Sequence, residues 1–193
     1  MNSLALFIIL PAAYLLGGLS PGHWLVRRRT GTDVRAQGSG VTGATNAGRV
    51  LGRGGFILVL LLDAGKGAAA VALARGLDST ASGQFAAGLA VVAGHIWPAQ
   101  LGFRGGRGVA PLLGAWLVLA PLAVAGAAAL ALLARATSVR FIFAGLIGVA
   151  ALPVFTWPAM HDPGAVAVAF AACTLVLFAH RPHLRPARPA SPP

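Results

Sequence analysis

The chain has 193 residues, 57% of them hydrophobic and only 10% charged, with a mean hydropathy of +0.79. A soluble domain carries about a quarter charged residues, so a water-exposed globule is excluded and an all-α, polytopic integral membrane protein is expected. Fourteen arginines and one lysine stand against four aspartates and no glutamate, a formal net charge of +11, which in so apolar a chain points to a membrane surface or anionic substrates rather than nucleic acid.

The first apolar run, at about 3–26, opens MNSLALFIIL. It lacks a basic n-region and continues too far for a cleavable signal, so it reads as the first transmembrane helix. His23 reads as an amphipathic residue at headgroup level. A polar, glycine-rich stretch follows, with Gly38-Ser39-Gly40-Val41-Thr42-Gly43-Ala44-Thr45-Asn46, then Arg49 and Gly52. Glycines let successive backbone N–H groups converge on an anion. Ser39, Thr42, Thr45 and Asn46 add hydrogen-bonding groups, and Arg49 adds a planar fork that matches phosphate. A flexible linker with one or two turns has the same composition.

The run at 54–75 contains Asp63 and Lys66, three apart and hence on one helical face. Ionisable groups at membrane depth are functional or paired, so a ligand contact and a closed salt bridge both stay open. The run at 82–101 carries Gly94-His95 and leads to Phe103-Arg104-Gly105-Gly106-Arg107-Gly108-Val109. A double glycine between arginines at a helix start is an anion trap, because the helix terminus supplies N–H groups and a favourable dipole. A basic turn between two spans would look similar. There is no Walker A pattern.

Pro121 interrupts the run at 109–135, which is expected to form two short or broken helices; one kinked helix is the alternative. Runs at 138–157 and 163–180 follow, and about 20 residues suffice to span a bilayer. His161 reads as another interfacial residue. Cys173, the only cysteine, lies in AFAACTLVLF and reads as a buried structural thiol, so neither disulfides nor cysteine metal sites are expected. His180 and His183 close the last run beside Arg181 and Arg185, where they could bind phosphate or exchange a proton. Residues 1–185 are expected to form one transmembrane domain, and 186–193 a disordered, basic, proline-rich cytoplasmic tail.

Seven segments with an outside amino terminus put 13 of the 15 basic residues in the cytoplasm, leaving Lys66 within a span and Arg75 outside. No His is followed five residues on by Asp, and no Ser sits in GxSxG, so neither the acid–base pair of many glycerolipid acyltransferases nor a hydrolase elbow is present.

Four ordered motifs resemble those of the bacterial acyl-phosphate-dependent glycerol-3-phosphate acyltransferases, the PlsY family. They are YLLGGLSPGHWL, DVRAQGSGVTGATNAGRVLG, DAGKG and GHIWPAQLGFRGGRGVAP. The resemblance runs from Tyr14 to about Arg185. It implies a seven-helix enzyme in the bacterial plasma membrane whose active site faces the cytoplasm. It further implies acyl transfer from acyl phosphate to the sn-1 hydroxyl of glycerol 3-phosphate, giving lysophosphatidic acid and phosphate. A peripheral phosphate acyltransferase would supply the donor; membrane lipid is the other partner, and no cofactor, metal or nucleic acid is implied.

By matching position, Ser39 with its neighbouring glycines Gly38 and Gly40 would hold the acyl phosphate. Arg49, Arg107 and His180 would hold the glycerol phosphate and polarise the reacting centre. Asn46, Lys66, His95, Arg104, Gly105, Gly106, Gly108 and His183 complete the expected substrate contacts. The chain departs from the family at Val41 (Asn there), Arg107 (Lys), Pro111 (Thr), Phe143 (Ser) and His183 (Asn), and it lacks the family's downstream Glu. A non-enzymatic or altered-substrate paralogue that binds phosphate or phospholipid is therefore the alternative function, and a small anion transporter a third.

Overall fold

The computed structural model describes residues 3–77, 79–160 and 162–184. The helices are α1 (Ser3–Gly18), α2 (Pro21–Thr30), α3 (Ala44–Gly76), α4 (Ala81–Ile96), α5 (Val109–Leu119), α6 (Pro121–Ala136), α7 (Phe141–Met160), α8 (Pro163–Ala179) and the single turn α9 (Arg181–Leu184). The described residues contain no strand, and each helix satisfies its backbone within its own segment, as lipid demands of a spanning helix. The expected tail at 186–193 and His161 lie outside the described residues.

Three boundaries differ from the sequence reading. The run at 3–26 is two helices, because Pro21 starts α2 after a break at Leu19–Ser20. His23 is consequently not an interfacial residue: it is buried on α2, with Nδ1 3.3 Å from Asp33 Oδ1. Helix α3 begins ten residues before the run at 54, and Gly52, at φ 75°, kinks it between a loop-proximal segment and the long apolar one. Helix α4 stops at Ile96, ahead of Pro98 and a 3-10 turn at Ala99–Leu101. The expected break is present, since Ala120 leaves helical geometry at φ −151°, ψ 73° and Pro121 opens α6.

Chain reversals sort the connections to two ends. Arg75 bonds Gln84 and the Val118 carbonyl at one end, where Ser82 also donates to Asp162. The α2 segment, the 31–43 loop, the α4–α5 loop and the end of α8 gather at the other. Of the described arginines only Arg75 lies at the first end. A core of Phe85, Val91, Leu112, Trp116, Leu152 and Val176 joins α4, α5, α7 and α8. Phe7, Leu61, Leu122, Leu132, Phe141 and Phe170 stand exposed around the bundle, an apolar belt that suits lipid and not water.

Helix α5, with 11 residues, is about 16 Å long, too short for a hydrocarbon core of roughly 30 Å. It starts deep: a Cβ on Gly67 of α3 would lie 2.1 Å from the Pro111 carbonyl, so the two backbones touch there. The 97–108 loop fills the remaining depth, and this carries the Arg107 segment into the bundle.

Candidate active site

The 31–43 loop is organised by one side chain. Asn46, 1% exposed in the first turn of α3, places Nδ2 within 2.9–3.0 Å of the carbonyls of Val34, Gln37 and Val41. Its Oδ1 accepts from the Ser39 backbone N–H at 3.0 Å. Gly38 and Gly40 take left-handed φ values of 55° and 70°, which let the loop wrap so tightly. Two expectations change. Asn46 is a scaffold for the loop, because its amide is consumed by backbone, and the Ser39 N–H is not available to an anion. The Ser39 hydroxyl makes no hydrogen bond to the described residues.

A second clamp joins this loop to the one before α5. The Arg35 fork holds Asp33 through three bonds of 2.8–3.1 Å and donates to the Leu101 and Arg104 carbonyls at 2.7 and 3.3 Å. The Arg35 guanidinium keeps the Asp33 carboxyl far below the usual carboxylate range and is itself raised by it. The Thr42 N–H completes the junction by donating to the Gly105 carbonyl at 3.2 Å.

Between these loops and the end of α8 lies a cleft of about 250 Å³. Gly40, Val41, the stretch Arg104–Arg107 and Arg181 line it, together with the rings of Trp97, Phe103 and Phe178. Arg181 stacks on Phe178, its guanidinium carbon 4.2 Å from the ring centroid. Burial and the nearby charge of Arg49 both push the Arg107 guanidinium below its ordinary pKa. Two cations held close, with Asp33 already engaged, make an electropositive concavity suited to a phosphate. Phe103, Trp97 and Phe178 are exposed beside it, so an amphiphile could place its charged end among the arginines and its chain in lipid.

The glycine nest expected at Gly105 and Gly106 is built differently. Their N–H groups donate inward, to the Ile96 and His95 carbonyls at 3.1 and 2.9 Å. The groups left for an anion are those at the start of α5, where the N–H groups of Val109 and Ala110 have no intrahelical carbonyl partner and Pro111 has no N–H to satisfy. Gly108 caps this helix at φ 86°, a conformation that favours glycine.

Lys66 and His95 do not reach the cleft by their charged atoms. Lys66 Nζ, 6% exposed as a residue, lies 2.8 Å from Asp63 Oδ1, 2.8 and 2.7 Å from the Gly17 and Leu19 carbonyls, and 2.8 Å from His95 Nδ1. The closed-pair reading of Asp63 and Lys66 therefore holds, with His95 joined to it. His180 is the last-turn cap of α8, buried, its Nδ1 2.8 Å from the Val176 carbonyl. A carbonyl only accepts, so Nδ1 carries the proton and a neutral His180 keeps its lone pair on Nε2.

Gly40 and Arg104–Arg107 line the cleft, whereas Ser39 and His180 are chain neighbours of the lining residues Gly40 and Arg181, and Arg49 lies near Arg107. The side chain of His183 lies outside the described residues. Sequence reasoning left Arg181 and the three aromatic groups out of the site; the run FAHRP, a cation directly after an apolar span, is the signal that could have found them. Among the departures, Val41 lends its carbonyl to Asn46, and Pro111 falls where the helix needs no donor. Phe143 packs under Arg140 at 5.7 Å and does not line the cleft.

Comparison with known proteins gives one answer. A family model described as glycerol-3-phosphate acyltransferase matches residues 7–187. The chain is 46% identical over 184 residues to glycerol-3-phosphate acyltransferase 1 of Desulfitobacterium hafniense (strain Y51), covering 93% of this chain and 89% of that protein. It is 35% identical over 191 residues to the glycerol-3-phosphate acyltransferase of Clostridioides difficile (strain 630), covering 96% and 93%. Among solved structures it is similar to PlsY, an integral membrane glycerol 3-phosphate acyltransferase, in its glycerol 3-phosphate form: TM-score 0.84 and 31% identity over 94% of this chain and 90% of that one.

Proposed function

The chain belongs to the glycerol-3-phosphate acyltransferase family, and we propose that it makes lysophosphatidic acid by moving a fatty acyl group from acyl phosphate to the sn-1 hydroxyl of glycerol 3-phosphate. It is an integral membrane acyltransferase of phospholipid synthesis. The observation that carries the donor assignment is the cleft: Arg104, Arg107 and Arg181 meet there beside lipid-exposed aromatic rings. Both substrates bring phosphate, and one also brings a chain.

The hydroxyl oxygen attacks the acyl carbonyl carbon and forms the ester bond. The bond from that carbon to the phosphate oxygen breaks, its electron pair leaves with phosphate, and the hydroxyl proton ends on phosphate. An acyl phosphate is already activated, so what the protein must supply is proximity and charge stabilisation. Arg107 and Arg49 stabilise the phosphate oxygens, the first N–H groups of α5 add donors and a dipole, and the Ser39 hydroxyl faces the donor phosphate. His180, next to Arg181 at the end of α8, holds the acceptor, and Arg104 and Arg181 draw both anions in. Asn46, with Gly38 and Gly40, holds the loop in shape.

The clustering of basic residues at one end supports a cytoplasmic active site in the bacterial plasma membrane, with the amino terminus outside. Acyl phosphate is an amphiphile, which fits delivery by a peripheral phosphate acyltransferase at that face. Purified protein in detergent, given palmitoyl phosphate and glycerol 3-phosphate, should release inorganic phosphate and lysophosphatidic acid in equal amounts. No release above background would overturn the reading.

A further inference from the structure

His95 lies under the substrate loop and over the buried ion pair, and its two ring nitrogens serve different neighbours. Nδ1 lies 2.8 Å from Lys66 Nζ and 3.4 Å from Asp63 Oδ1. Lys66 is held as an ammonium by the Asp63 carboxylate and by two carbonyls at the end of α1, all of which only accept. Two N–H donors cannot face each other at 2.8 Å, so Nδ1 accepts and the ring proton sits on Nε2. That nitrogen fills the space a side chain at residue 106 would need: a Cβ on Gly106 would be 2.0 Å from His95 Nε2. The His95 carbonyl also takes the Gly106 N–H, at 2.9 Å. One residue thus touches Gly106 with its backbone and its ring, and Gly106 precedes Arg107 in the cleft.

We infer that His95 is a positioning residue: Lys66, anchored by Asp63 and the α1 carbonyls, orients the imidazole so that its Nε2 edge sets the Gly106–Arg107 backbone, and with it the aim of Arg107 at a substrate phosphate. The same ammonium ties the end of α1 to the floor of the site, so three helices converge on the loop through one cluster. The role rests on the acyl-transfer reading and gives His95 a function through the loop, with no contact to substrate. It also explains why residue 106 is glycine: its φ is not left-handed, and the ring alone forbids a side chain.

The test is a double-mutant cycle on the full-length protein. His95→Asn keeps an acceptor for Lys66 but lacks the reach to Gly106; His95→Gln keeps the reach; Gly106→Ala puts a methyl group where the ring stands. His95→Asn and Gly106→Ala should each lower kcat/KM for glycerol 3-phosphate by about 10- to 100-fold, the cost of displacing a binding group by roughly 1 Å, while His95→Gln stays within about threefold of wild type. The decisive result is the double variant, because the shorter Asn leaves room for the methyl group. His95→Asn/Gly106→Ala should be no worse than His95→Asn alone, a coupling that independent sites do not show. Multiplying losses, or an unchanged His95→Asn enzyme, would overturn the inference. If His95→Asn does not fold, His95→Gln decides: a loss of tenfold or more in it also overturns the role. An inactive wild type would instead condemn the reaction assignment.

Discussion

Arg107→Ala separates a substrate-binding cation from a basic turn that merely obeys membrane charge rules. Arg107 is half-buried at the loop's approach to α5, where burial and the nearby charge of Arg49 push its guanidinium below its ordinary pKa. A charge-assisted hydrogen bond to phosphate contributes roughly 1.5–3 kcal/mol. At about 1.4 kcal/mol per decade that is on the order of 10- to 150-fold in rate, and loss of one preorganised oxyanion donor costs about 10²–10³ in kcat. Turnover should therefore fall about a hundredfold. Stability should not follow, because removing Arg107 also relieves its repulsion with Arg49. The substrate-free melting temperature should stay within about 4 °C of wild type, the shift that roughly 1 kcal/mol makes in a chain of this size. The stabilisation by glycerol 3-phosphate, about 2.7 kcal/mol at a hundred times Kd for an intact site, should shrink or vanish. Arg107→Lys should retain much of the activity, since a point charge still binds phosphate. Arg75→Ala, at the opposite end, is the control for turnover. The assay is phosphate release, paired with melting curves with and without glycerol 3-phosphate. Near-normal turnover in Arg107→Ala would refute the site.

Acyl-CoA should not replace acyl phosphate, because the chain has no HxxxxD pair to act on a thioester; comparable initial rates with both donors would sink the donor assignment. Cysteines at residues 3 and 191, in a Cys173→Ser background, should be labelled by an impermeant reagent from opposite sides of the membrane, and labelling of both from one side excludes an odd number of crossings. Asp33→Asn should lower the melting temperature at pH 7, because it unfastens Arg35 from the loop junction. The carboxyl is depressed in the fold, so its contribution is present above the ordinary value of 3.8 and is lost as pH falls below it. The gap between wild type and Asp33→Asn should narrow in that acid range, and a gap that stays constant there would show that the clamp is not electrostatic.

The sequence by itself determined the class of the protein, its helix-breaking point at Pro121, and the family. Those properties follow from composition, from proline's missing N–H and from ordered motifs, all of which are local. The same local patterns identified Arg104, Arg107 and the double glycine as parts of an anion site. What tertiary structure decided is which atoms of those motifs face the ligand. The N–H groups of Ser39, Gly105 and Gly106 looked free in the sequence, yet each is used by Asn46, Ile96 or His95. Lys66 looked like a substrate contact until the end of α1, some 50 residues earlier, supplied two carbonyls for it. Arg181 reached the cleft only because α8 packs against α4. A hydrogen-bonding group's partner is set by distance in space, and for these residues the partners come from helices far away in the chain.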